Sequence, residues 1–114
     1  MSNTLDFNTI TKQYLTVVLP DEKNTRLLIT TPTKSLLEEL SQIEQKFKGT
    51  GASDDSMDQA LGDLYDLIAR VMSRNKAGVK ITKEDLEKCL DFEDIIIFFK
   101  SYLAFVKGIK ASKN

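Results

Sequence analysis

The chain has no histidine, no tryptophan, one cysteine and two prolines. The missing histidine removes the commonest general base and the commonest metal ligand together. Cys89 has no second cysteine to pair with, so no intrachain disulfide staples the fold, and a reducing cytoplasm is the expected compartment. No apolar run approaches the ~20 residues that span a bilayer, and the opening MSNTLDFNTITKQ has neither the basic nor the apolar region of a secretory signal. Sixteen basic and seventeen acidic residues are interspersed, for a net charge of -1. Without a basic block to follow a phosphate backbone or an anionic membrane, neither nucleic acid nor membrane is an expected partner.

What is present is an ordinary globular balance, 41% hydrophobic and 29% charged, over 114 residues. That suits one domain able to bury a core unaided. Leu5, Phe7 and Ile10 are scattered apolar anchors in a polar start, with a short strand at residues 5–7. β-branched and aromatic residues crowd 12–19 (KQYLTVVL), and 25–31 (TRLLITT) repeats the pattern across the turn-forming PDEKN, which predicts a hairpin. Two strands alone are marginal in water, so the hairpin needs a third strand, a helix beneath it or another chain's edge.

Pro32 ends the second strand, and a helix follows, capped by Thr33 or by Ser35 with Glu38. Its apolar stripe is Leu36, Leu40, Ile43 and Phe47, and Gly49 is a natural stop. GTGASDDS (49–56) reads as a loop; it lacks the lysine and the preceding strand of a phosphate cradle. The next helix opens at Ser56 or Asp58 and runs to about Arg74, with Met57, Ala60, Leu61, Leu64, Tyr65, Ile68, Val71 and Met72 on one face. Asp55, Asp58, Asp63 and Asp66 do not have calcium-loop spacing and read as a solvated face.

Two helix starts of one design follow. Thr82 caps a short helix over 83–89 with Asp85 at its third position, and Asp91 caps a long one with Asp94 at its third. Ile81 and Leu86, then Leu90 and Ile95, are placed to staple them. The long helix, 91–109, holds four of the six phenylalanines and is the expected centre of the fold. Phe92, Ile95, Ile96, Phe99, Leu103 and Val106 are its expected core residues. Its apolar arc is wider than the ~100° stripe a core requires, so Ile97, Phe98, Tyr102, Phe105 and Ile109 are the candidate partner-binding residues.

The expected architecture is α+β, mostly α: an N-terminal β-hairpin followed by about four helices in one small domain spanning 1–114. Residues 1–11 and 110–114 are its flexible ends. No catalytic, cofactor or metal site emerges, because the carboxylates fall in helix first turns and Cys89 sits beside Leu86 and Leu90. The chain reads as a non-enzymatic binding or assembly module.

The hairpin running into TPTKSLLEELSQIE, and the stretch LYDLIARVMSRNKAGVKITKEDLEKCLDFEDIIIFFKSYLAFVKGI, together resemble the tail assembly chaperones of long-tailed bacteriophages and prophages, especially those of Gram-positive hosts. The likeness covers most of 12–109 and lies in the order and spacing of the pieces. It implies a non-catalytic protein of the host cytoplasm that coats the tape measure protein before the tail tube polymerises, and that is absent from the mature virion. It also implies contacts with other copies of the chain. Tail tube subunits would be recruited only by a longer, frameshifted form. The alternative from another class is a virion structural part, a tail completion or head–tail connector protein, and a third is a host-directed regulator such as a small antitoxin or anti-repressor.

Overall fold

The turn-forming PDEKN segment builds its own reversal. The Asp21 carboxylate accepts from the Thr25 amide (2.9 Å) and the Thr25 hydroxyl (2.6 Å), while the Asn24 amide donates to the Asp21 carbonyl at 3.1 Å. Asn24 takes the left-handed conformation (φ 50°) that asparagine tolerates better than most residues. The turn joins β1 (Leu15–Val18) to β2 (Arg26–Ile29) in the antiparallel register Leu15–Ile29, Thr16–Leu28, Val17–Leu27 and Val18–Arg26. Leu27 and Ile29 point into the core with Leu15 and Val17 packed against it, whereas Thr16, Val18 and Arg26 face out.

Four helices follow in the computed structural model, which describes residues 4–7, 12–48 and 54–112, with side chains for 4–7, 12–46 and 59–108. They are α1 (Lys34–Lys48), α2 (Asp54–Met72), α3 (Lys83–Cys89) and α4 (Phe92–Ser112). The fold is therefore α+β and mostly α, as expected. Thr33 rather than Ser35 caps α1, its hydroxyl accepting from the Leu36 amide at 3.2 Å. α2 begins at Asp54, ahead of the expected Ser56 or Asp58, and ends at Met72. Residues 5–7 form no strand, and Leu5 and Phe7 stand exposed. Gly49 and most of the 49–56 loop fall outside the described residues, as do the side chains of Phe47 and Met57.

Both predicted caps are present. Thr82 and Asp85 exchange side chain-to-backbone bonds of 3.1 and 3.0 Å, and Asp91 and Asp94 exchange bonds of 2.9 and 3.1 Å. The hydrogen-bonded Thr82 holds the Asp85 carboxyl below the usual carboxylate range. Between the two helices Leu90 is extended, and its carbonyl accepts the Tyr65 hydroxyl at 2.9 Å.

The further pairing that the hairpin requires comes from the turn after α2, as a bridge and not a third strand. Asn75 bridges Ile29; the Thr30 amide donates to the Arg74 carbonyl and the Lys76 amide to the Leu28 carbonyl, each at 2.9 Å. Asn75 is itself buried and fully bonded: its amide nitrogen donates to Met72 and Val79 carbonyls (2.8 and 2.7 Å), and its oxygen accepts from the Val79 amide at 2.9 Å. Gly78, at φ 75°, closes this turn in a conformation that favours glycine. Arg74 adds bonds to the Thr31 carbonyl.

α2, not α4, is the hub. It packs on α1, α3, α4 and β2, and its buried residues Leu64, Tyr65, Leu67, Ile68, Ala69, Val71 and Met72 cover much of its circumference. Leu36, Leu40 and Ile43 of α1 meet it, and outside them Arg70 grips Glu39 through two bonds of 3.0 and 2.7 Å while also lying 3.4 Å from Asp66.

Replacing Asn75 by Ala strands the Met72 and Val79 groups it serves. Urea denaturation should show a loss of about 1–3 kcal/mol. Burial pushes the Tyr102 phenol up to about 12, against a smaller opposing effect of Arg74. The folded state thus keeps that proton after the unfolded state has released its own. Stability should be unaffected by this group below pH 10 and should fall between 10.0 and about 12. In alkaline melts Tyr102→Phe should show a shallower decline than the parent chain.

Candidate functional site

The five candidate residues of α4 separate on folding. Phe98 and Tyr102 belong to the core at 7% and 0% exposure, so the expectation that they offer surface to a partner is wrong. Their rings stack at 5.8 Å, and the Tyr102 hydroxyl donates to the Thr30 carbonyl at 2.9 Å. A phenol with a backbone partner at the end of β2 turns this side of the helix inward. Phe92, expected in the core, is 47% exposed instead. Its place is taken by the rotated set Ile95, Phe98, Phe99, Tyr102 and Val106, with Ile96 and Leu103 half-buried at its border. Ile97 is exposed at 61%, and Phe105 is half-buried with its ring 6.0 Å from that of Tyr102. The side chain of Ile109 lies outside the described residues.

Ile97 lies on a strip of small residues, with Phe105 at its border. At helical spacing Ser101, Ala104 and Gly108 share their side of α4, all exposed, and no atom lies within 4 Å of where a Gly108 side chain would begin. The Ile97 and Ser101 end of this flank faces β1 across a groove of about 430 Å³. Leu19, Met72, Leu90 and Phe98 contribute apolar lining, Val18 and Ile97 stand at its open sides, and Asp94 is the one charged residue lining it among the described residues. Asp94 is already engaged in capping α4.

The strand bordering the groove is an open edge. β2 is paired on both sides, by β1 and by residues 74–76. Because the Leu28 carbonyl is taken by Lys76, the backbone groups of Leu28 point away from β1, and antiparallel alternation turns those of its partner Thr16 away from β2. The same holds for Val18. Among the described residues nothing pairs with them. Exposed strand edges and apolar patches are the surfaces by which proteins associate. Sequence reasoning had flagged the hairpin edge and Ile97, but not that β1 rather than β2 carries the free edge. That depends on the 74–76 bridge, a single residue pair with no periodic signal.

The remaining chemistry is structural. A smaller depression of about 180 Å³ between α1 and α2 is lined by Glu39, Lys46, Asp63, Asp66 and Arg70, charges that pair with one another. Arg70 holds the Glu39 carboxyl below its ordinary range. Burial pushes the half-buried Cys89 thiol up, with Asp21 adding to the effect, the opposite of an activated thiolate. Among the described residues no three His, Cys, Asp or Glu side chains converge as metal ligands, and no helix is long and apolar enough to cross a membrane. Comparison with protein-family models, curated proteins and solved structures found no match.

The two sides of α4 should respond differently to mutation. Phe98→Ala should cost about 3–5 kcal/mol in chemical denaturation. Ile97→Asp should stay within about 0.5 kcal/mol of the parent.

Proposed function

We propose that this chain is a non-catalytic tail assembly chaperone of a long-tailed bacteriophage, which binds the tape measure protein and keeps it soluble until the tail tube forms. The observation that carries this reading is an exposed apolar flank of α4 around Ile97, beside an open strand edge, on a domain in which no metal-ligand cluster forms among the described residues. The order and spacing of the hairpin, the four helices and the two capped starts agree with the resemblance to that family. Ser101, Ala104 and Gly108 would let an apolar helix of the tape measure protein lie close to α4, with Ile97 at one end of the strip and Phe105 at its border adding apolar contact, a helix-in-groove contact. Phe98 and Tyr102 would support that surface from below.

The chaperone would act in the host cytoplasm and leave before the virion is complete. It would meet tail tube subunits only through a longer form.

Co-expression with the phage's tape measure protein is the test. The parent chain should keep that protein in the soluble fraction, and Ile97→Asp combined with Phe105→Asp should lose at least half of the effect while the domain stays folded by circular dichroism. Mass spectrometry of purified particles should not find the chain. Its presence there would favour a virion structural part instead.

A further inference from the structure

We propose that the outer face of the sheet, the one turned away from the core, is a docking surface for an acidic amphipathic helix of another protein. The residues that form it come from three separate parts of the chain. Thr16 stands opposite Leu28 and Val18 opposite Arg26. The bridge of Asn75 to Ile29 sets Arg74 beside Thr30 and Lys76 beside Leu28. Because Asn75 and Ile29 are buried, alternation turns Arg74 and Lys76 to the same side as Thr16, Val18, Arg26 and Leu28. Tyr14 joins them, since the Lys76 ammonium lies 5.7 Å from the centre of its ring.

The charge on this face is of one sign. Segments 12–19, 25–31 and 73–80, which build the sheet and its bridge, hold Lys12, Arg26, Arg74, Lys76 and Lys80 and no acidic residue, in a chain whose net charge is -1. Arg26, Arg74 and Lys76 are exposed, and none of them is in an ion pair among the described residues. Asp21 and Glu22 lie in the turn beyond Val18 and Arg26, where Asp21 is engaged by Thr25. Arg74 is already oriented: Nε and Nη2 bond the Thr31 carbonyl at 3.3 and 3.0 Å, which leaves Nη1 for a carboxylate. Between the cations lie Val18, 51% exposed, and half-buried Leu28. Cations around an apolar centre match a helix that presents apolar side chains with carboxylates beside them, and helices pack on sheet faces. A nucleic acid fits less well. It would need a ring to stack on, and Tyr14, the aromatic residue of this face, is already faced by Lys76. The face shares Thr16 and Val18 with the groove beside α4 and otherwise lies across the sheet from it. Binding here does not depend on what occupies α4.

Fluorescence anisotropy with the purified full chain tests this, using a labelled peptide that carries leucines at helical spacing and glutamates between them. The peptide should bind with a Kd below about 100 μM and weaken as salt is raised, while its glutamine counterpart should not bind. Arg26→Glu and Lys76→Glu should each weaken binding about three- to tenfold, with circular dichroism unchanged. The double variant should instead take up the lysine counterpart of the peptide, which a merely structural role of these side chains would not produce. Ile97→Asp should have no effect. No binding of the glutamate peptide, equal binding of the glutamine one, indifference to both reversals, or loss on Ile97→Asp would each overturn the proposal. So would tighter binding of a single-stranded oligonucleotide, or self-association that the same reversals abolish, which would assign the face to nucleic acid or to a second copy.

Discussion

The short backbone pairing between residues 74–76 and β2 is the constraint on which the rest of the molecule depends. A two-stranded hairpin has too little sheet to persist, and this one gains its third member from a turn rather than a strand. The turn can serve because the Asn75 side chain bonds Met72 and Val79 and so fixes the turn beside Ile29. Ser73 continues the same device: its hydroxyl accepts from the Ile81 amide at 2.9 Å and lies within reach of the Ala69 and Ile81 carbonyls, one of which takes its proton. The end of α2, the start of α3 and the inner sheet edge are thereby fixed as one piece. Tyr102 then ties α4 to the first residue beyond β2. With β2 closed on both sides, β1 is the strand left open among the described residues.

Much of this was legible wherever a local rule governs local structure. Thr82–Asp85 and Asp91–Asp94 have the side-chain lengths and spacing of reciprocal caps, and both formed. The hairpin and its turn followed from β-branched runs around PDEKN. The failures share a cause. α4 carries an apolar arc wider than its core needs, so periodicity cannot say which part faces inward, and the reading rotated it toward Phe92 at the expense of Phe98 and Tyr102. The rotation is set by Tyr102 meeting Thr30, residues 72 positions apart. α2 was read with a one-sided stripe, yet Leu67 and Ala69 are buried as well because helices and strand enclose it from several directions.

The corrected α4 divides its work by angle. One arc, Ile95 through Val106, belongs to stability, and another, Ile97 with Ser101, Ala104 and Phe105, is free for contact. This separation is what a binding protein needs: the surface can change without unfolding the domain, and the core can be defended without altering what is bound. The charged residues show a similar economy. Glu39, Asp66 and Arg70 stabilise the α1–α2 contact at the surface, while Asp85, Asp91 and Asp94 start helices.

The central claim is that this protein works through the β1 edge and the adjoining flank of α4. Residue-resolved amide exchange in the presence and absence of the tape measure protein addresses it directly. The account predicts added protection at Thr16 and Val18 and along residues 97–108, with the α1–α2 face around Glu39 and Arg70 unchanged. Protection confined to that α1–α2 face, with β1 and α4 untouched, would contradict it.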